Sequence, residues 1–142
     1  NFGMVLITDP GPDPDDMKTM LIAGILHRQK EIKMHAIVAN GGHQAERRAK
    51  LALCLMDLIG VRDVPVGIGS EGKPYVAQAH EYALPGYERT NVARLLPGHT
   101  LLLDVLRRAP RERALTFVCI SSLRDLADLI AAEPELFVPR EP

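Results

Sequence analysis

The sequence predicts an α/β fold, with a mostly parallel sheet and helices on both faces. Apolar runs that suit buried strands alternate along the chain with segments of helical hydrophobic spacing. The first strand, over residues 3–8, is continuously apolar from Met4 to Ile7, as in strands covered on both faces. The chain has 142 residues, of which 46% are hydrophobic, enough for a single domain over residues 1–142.

Two helices flank a second strand in the next part of the chain. A helix is predicted over residues 15–29, where Asp15 can cap the N-terminus. A strand over residues 33–39 follows and ends at a turn. A second helix, over residues 43–59, stops at Gly60.

The remaining elements continue this alternation around one irregular stretch. A short strand is predicted over residues 64–68, followed by a long loop over residues 69–94, rich in glycine, proline and tyrosine. Loops of this length are usually functional or mobile, so this one could close over a site. A helix over 97–109, a strand over 115–120 and a helix over 122–132 complete the order.

The densest concentration of charge follows the first strand. Four carboxylates lie within eight residues, those of Asp9, Asp13, Asp15 and Asp16. Their mutual repulsion is tolerated on a solvated turn, or where a cation neutralises the cluster. Three prolines and a glycine stiffen the segment and orient its carboxylates. This favours a site for a hard metal ion.

Polar residues also follow other predicted strands at the point where each strand ends. Asp9 follows the first strand, Asn40 the second, and Ser121 and Ser122 the strand over residues 115–120. Ligands of parallel α/β sheets bind at the carboxyl ends of the strands. We therefore expect these residues to share one functional edge.

The residue types at this edge suit metal-assisted hydrolysis. Asp9 and Asp16 are candidate oxygen ligands for Ca²⁺, in preference to Mg²⁺, and Asp15 is a candidate general base. Asn40 is a candidate contact for a ligand hydroxyl. Structural alternatives remain open: Asp15 or Asp16 as a helix cap beside a proline-rich turn, and Asn40 as part of an Asn-Gly turn.

Composition argues against several other classes of function. The net charge is −1, and the basic stretch over residues 107–113 contains no aromatic residue, so neither nucleic acid nor an anionic membrane is an expected partner. No apolar run is long enough to span a bilayer. Cys54 and Cys119 lie in apolar runs and are predicted to be buried thiols. We expect a cytoplasmic protein, or an organellar one if a targeting segment has been removed.

Four segments of the chain match the motifs of one known family. The run over residues 9–16 has Asp-Pro-Gly and then Asp-Asp at a helix start. Residues 37–41 are Ile-Val-Ala-Asn-Gly, residues 64–69 are Val-Pro-Val-Gly-Ile-Gly, and residues 116–136 include Asp-Leu-Ala and a later Pro-Glu. Together they resemble the inosine/uridine-preferring nucleoside hydrolases, whose signature after the first strand is Asp-x-Asp-Pro-Gly-x-Asp-Asp.

The resemblance implies a Rossmann-like domain and Ca²⁺-dependent hydrolysis of the N-glycosidic bond of ribonucleosides, which gives ribose and free base. Asp9 and Asp16 would bind the metal and the ribose hydroxyls. Asp15 would be the base that activates water against the anomeric carbon. Asn40 would contact the ribose, and the backbone carbonyl of Ile120 would be a further metal ligand. The carboxylates would stabilise an oxocarbenium-like transition state.

The chain also departs from the family's pattern. Ile7 replaces the first aspartate of the signature, and the inserted Asp13-Pro14 makes Asp13 a second candidate for the base. Family members are longer, and their later half supplies another aspartate ligand and a leaving-group histidine. We therefore expect a partial family domain, active if completed, and either a homo-oligomer or a subunit of a larger complex. The alternative is a catalytically inactive domain with a structural or binding role in an assembly.

Overall fold

A five-stranded parallel sheet forms the centre of the fold. The computed structural model describes residues 2–11, 13–110 and 112–138. Within them, the strand order is β4-β3-β2-β1-β5. The strands are β1 (Phe2–Thr8), β2 (Ile32–Ala39), β3 (Val66–Ile68), β4 (Leu96–Pro97) and β5 (Leu115–Cys119).

Helices cover both faces of this sheet, as predicted. They are α1 (Pro14–Arg28), α2 (Ala45–Leu58), α3 (Gly98–Arg108) and α4 (Arg124–Ala132). Alternate residues of β1 enter opposite cores: Met4 and Leu6 pack with α1 and α2, whereas Val5 and Ile7 pack with α3 and α4. This two-sided burial explains why β1 is continuously apolar.

The long loop is held against α2, and its residues Ser70 and Glu81 reach the edge where β1 and β2 end. Tyr82 and Tyr87 are buried and pack against Leu51 and Cys54 of α2. The guanidinium of Arg47 lies 4.0 Å from the centre of the Tyr82 ring, a cation–π contact. The loop also contains two short 3₁₀ helices, at Tyr87–Arg89 and Val92–Arg94. The sequence did not indicate this packing on α2, because the aromatic residues that anchor the loop are too few to form a helical or strand-like hydrophobic pattern.

Several local predictions are corrected by the structure. The N-cap of α1 is Asp13, not Asp15, and its side chain makes no capping hydrogen bond. The two-residue strand β4 was not predicted, because so short a strand has no recognisable alternation. Cys54 is buried as expected, but Cys119 is only half-buried, because it lies on the edge strand β5.

Candidate functional site

The sheet has a topological switch point between the parallel strands β1 and β5, where successive strands begin to be added on the opposite side of β1. The chain moves outward from β1 through β2, β3 and β4, and then returns to place β5 on the other side of β1. Sheets of this kind bind ligands in the crevice at such a switch point, outside the carboxyl ends of the strands. Asp9 follows β1 and Ile120 follows β5, so these two predicted site residues flank the switch point.

Backbone hydrogen bonds hold the three strand ends together. The N–H of Ile120 donates to the carbonyl of Ile7 at 3.0 Å, and the N–H of Asn40 donates to the carbonyl of Thr8 at 3.0 Å. The structure therefore brings the segments of Asp9, Asn40 and Ile120 to one edge, as the sequence predicted.

Asp16 folds back from the first turn of α1 onto the end of β1. Its Oδ1 accepts a hydrogen bond from the Thr8 hydroxyl at 2.6 Å and another from the N–H of Asp9 at 3.1 Å. Asp16 is 4% exposed. The Pro14 start of α1 makes this possible, because it places Asp16 in the first turn, facing the strand.

Asp9 and Asp16 form a carboxylate pair in which like charges meet. Burial, the charge of Asp16 and a side-chain hydrogen bond with Asp16 raise the pKa of Asp9 to about 6, against the opposing effect of the Arg48 cation. A divalent cation would relieve this repulsion, and carboxylate oxygens are the ligands that Ca²⁺ prefers.

This pair fits Ca²⁺ as part of a ligand set rather than a complete one. Within the described residues, no group of three or more His, Cys, Asp or Glu side chains could hold a metal ion. Ca²⁺ takes about six to eight oxygen ligands. Water, backbone carbonyls or ligand hydroxyls would therefore have to complete the set.

The two candidate bases, Asp13 and Asp15, are exposed and lie in the segment between Asp9 and Asp16. Asp15 precedes Asp16 in α1, and successive helical side chains point about 100° apart, which leaves Asp15 facing outward. The backbone carbonyl of Asp15 accepts from the Thr19 hydroxyl at 2.8 Å. Both residues are thus open to solvent.

The side chain of Asn40 is completely buried, and its donor is already occupied. Its Nδ2 donates to Asp125 Oδ2 at 2.7 Å and to the Ser122 carbonyl at 3.3 Å. Asp125 also accepts from the N–H of Ser70 at 2.9 Å and from its hydroxyl at 2.8 Å. A direct contact between Asn40 and a ligand therefore requires its cover to open.

Asp125 and Ser70 were missed as site residues by sequence reasoning. Asp125 is 6% exposed and joins the loops after β2 and β3 to the start of α4. The one sequence signal for Asp125 was the Asp-Leu-Ala segment after the strand over residues 115–120. That segment indicates a family motif, but it does not show which residues Asp125 hydrogen-bonds.

The buried side-chain atoms without hydrogen-bond partners lie at this same end of the sheet. Within the described residues these atoms are Asn40 Oδ1, Arg48 Nε, Glu81 Oε2 and Ser121 Oγ. Asn40 and Ser121 follow strands, and Arg48 and Glu81 both approach Gly11 in the aspartate loop. Buried polar groups in folded proteins are almost always paired. Their concentration here marks the edge as the candidate binding site.

Comparisons with known proteins agree on the fold. No protein-family model matches the chain, and no curated protein matches it. Eighteen solved chains match its structure. One is the type III effector protein XopQ, solved in complex with adenosine diphosphate ribose, with a TM-score of 0.71 and 24% identity over 95% of this chain. Another is an inosine-guanosine nucleoside hydrolase, with a TM-score of 0.72 and 19% identity over 96% of this chain.

The chain spans less than half of either neighbour, 41% of XopQ and 44% of the nucleoside hydrolase. These likenesses establish a nucleoside-hydrolase-like α/β fold, which confirms the fold class expected from the sequence. No helix in the part of the chain that the structure describes is long and apolar enough to cross a membrane.

Proposed function

We propose that this chain carries part of the active site of a Ca²⁺-dependent nucleoside hydrolase. The observation that supports this most directly is the Asp9–Asp16 carboxylate pair at the switch point of a nucleoside-hydrolase-like sheet. The proposed reaction is hydrolysis of the N-glycosidic bond of a ribonucleoside, with inosine and uridine as the substrates to test first.

Each residue has a distinct proposed role. Asp9, Asp16 and the carbonyl of Ile120 would hold Ca²⁺, which when bound supplies positive charge that orients ribose hydroxyls and lowers the pKa of water. Asp16 is held in place by Thr8 and by the N–H of Asp9. Asp9 and Asp16 would also accept hydrogen bonds from the ribose hydroxyls.

Asp15 would accept the proton from the attacking water, because it is solvent-exposed and directly precedes Asp16 in the first turn of α1. The negative charges of the pair would stabilise the positive charge that develops on the ribose ring in the transition state. Asn40 would contact the ribose through Oδ1, the atom that its bonds to Asp125 and Ser122 leave free, once the cover that buries it opens.

The second candidate is a non-catalytic domain that binds a ligand or a partner subunit. It is favoured by the apolar Ile7, fully buried where the family signature has an aspartate, and by the incomplete ligand set around Asp9 and Asp16. A binding domain needs the carboxylate pair but no base.

Calcium binding and ribose release together test the proposal. Isothermal calorimetry should show Ca²⁺ binding that an Asp16→Ala variant loses, whereas Asp128→Ala, an exposed carboxylate change on α4, should keep it. Ribose release from inosine or uridine should disappear in Asp15→Ala but persist in Asp13→Ala. Release that persists in Asp15→Ala but stops in Asp13→Ala would transfer the base role to Asp13.

Unchanged calcium binding in Asp16→Ala would refute the metal assignment. Calcium binding without ribose release by the full-length protein would favour the non-catalytic domain.

A further inference from the structure

Helix α1 is apolar on its exposed side as well as on its buried side. Met20 and Ala23 are buried against the sheet, whereas Leu21, Ile22 and Ile25 are 38%, 60% and 38% exposed. Among the residues that the structure describes, α2 and α4 each expose one large apolar side chain and α3 exposes none. A helix that is apolar all round is typical of one that is covered on every side.

The three exposed apolar residues form one stripe along the middle turns of α1. Successive helical residues are about 100° apart, so spacings of three and four residues return to the same face. Ile25 lies four residues after Leu21 and three after Ile22. These three side chains are therefore neighbours on one exposed surface, the α1 stripe.

The exposed charges at the two ends of α1 have opposite signs. Asp15 lies in the first turn and Arg28 in the last, and both residues are exposed. Arg28 is anchored by a hydrogen bond from its Nη1 to the carbonyl of Ile59 at 2.8 Å. Two antiparallel copies of this helix would therefore bring the acidic end of each alongside the basic end of the other.

We propose that the α1 stripe is a dimer interface, on which a second copy of this chain packs its own α1 in antiparallel orientation. With the two-fold axis between Leu21 and Ile22, each of these residues lies opposite the other one in the second copy. Asp15 and Arg28 then lie at the same level, because each is six residues from the centre. The net charge of −1 per chain adds little long-range repulsion.

The second copy is favoured as the occupant because it supplies both an apolar stripe of equal length and the reversed order of charges. The contact is small, since three large apolar side chains from each copy bury less than about 1,200 Å², the lower limit of standard interfaces. We therefore expect a weak dimer, with a Kd of about 10–100 μM. The interface needs neither metal nor substrate, so it is independent of the proposed hydrolysis.

Sedimentation equilibrium of the 142-residue chain in the presence of a chelator, from about 5 μM to about 500 μM, measures this association. Ile22→Glu changes the most exposed residue of the α1 stripe, and thermal melting checks that the variant still folds. Val76→Glu makes a similar change at an 85% exposed residue of the long loop and is the matched control.

We expect Ile22→Glu to raise the Kd at least about 30-fold, because each copy loses a buried apolar side chain and places a charge in the interface. Val76→Glu should leave the Kd within about 2-fold of that of the unmodified chain. If the unmodified chain stays monomeric up to about 500 μM, or if folded Ile22→Glu dimerises as it does, the proposal is overturned.

Charge reversal tests the antiparallel orientation. Arg28→Glu and Asp15→Lys each place like charges at both ends of the interface, and each should weaken the dimer about 3- to 10-fold. The double variant restores opposite charges, so its Kd should return to within about 2-fold of the original. Both Arg28→Glu and the double variant lose the hydrogen bond to Ile59, so recovery reports the charge pairing alone. A double variant that dimerises as weakly as the single variants would overturn the antiparallel pairing.

Discussion

Replacing Asp9 with asparagine should reveal the electrostatic cost of burying the Asp9 carboxylate beside Asp16. The pKa of Asp9 is raised from 3.8 to about 6, first by burial and then by the charge of Asp16. Since the pKa in the folded state lies above that in the unfolded state, folding favours the protonated form. The stability contributed by that proton is fully present below about pH 4 and is lost as the pH rises through about 6.

The size of this effect follows from the pKa change. At about 1.4 kcal/mol per pKa unit, the rise from 3.8 to about 6 corresponds to at most about 3 kcal/mol. Asp9 is only half-buried, so solvent screening reduces the expected loss to about 1 kcal/mol. Asp9→Asn resembles the neutral acid at every pH, and so the variant should be more stable than the unmodified chain at about pH 8 and equal to it at about pH 4.

Urea denaturation in the presence of a chelator measures this difference. The free energy of unfolding is determined for both proteins at about pH 4 and about pH 8, with Asp13→Asn, an exposed change in the same loop, as the control. Added Ca²⁺ should stabilise the unmodified chain and do so less below about pH 6, because protons compete for Asp9. Ca²⁺ should have little effect on Asp9→Asn.

Two results would refute the reasoning. If Asp9→Asn and the unmodified chain show the same dependence on pH without calcium, neither burial nor the charge of Asp16 raises the pKa of Asp9 in the folded protein. If Asp9→Asn responds to calcium as the unmodified chain does, Asp9 is not a metal ligand.

Three further changes test the packing around the site by urea denaturation. Asp125→Ala should lower the free energy of unfolding by about 3 kcal/mol, because the buried donors of Asn40 and Ser70 lose their acceptor. The control Asp128→Ala, on the exposed side of α4, should change the free energy of unfolding by less than about 1 kcal/mol. Equal effects of the two variants would contradict the burial of Asp125. Gly24→Ala should change the free energy of unfolding by less than about 1 kcal/mol, because the gain in helix propensity opposes the displacement of Ile59 Cδ1, which would lie 2.5 Å from the new Cβ; a loss above about 3 kcal/mol would show that Ile59 cannot move. Leu129→Ala should cost about 2–5 kcal/mol because its fully buried side chain fills the core between the sheet and α4, and a loss below about 1 kcal/mol would place α4 away from the sheet.

Much of the fold could be read from the sequence because strands and helices reveal themselves locally. The continuous apolar run of β1 and the three- and four-residue spacing of α2 depend on neighbours within a few positions. The aspartate loop was also evident, since four carboxylates after a buried strand stand out in any reading. The carboxyl ends of parallel strands meet at one edge, which placed Asp9, Asn40 and Ser121 together.

Long-range partners could not be read in the same way. No pattern in the sequence indicates a partner for His27, yet its Nε2 hydrogen-bonds Asp63 Oδ1 at 2.9 Å and its Nδ1 accepts from the N–H of Met34 at 3.1 Å. Asp63 lies in the loop before β3, so the contact exists only once β2 and β3 are placed beside each other.

By itself, the sequence determined the alternating elements, the parallel sheet and the loop that carries Asp9 and Asp16, because these follow from spacing and from residue type. The tertiary structure alone decided that Asp125 restrains Asn40, 85 residues away, and that Arg48 and Glu81 meet at Gly11. The physical reason is that hydrogen bonds and buried charges depend on distance in space. That distance is set by the order of the strands and by the packing of the long loop on α2, neither of which has a local signature.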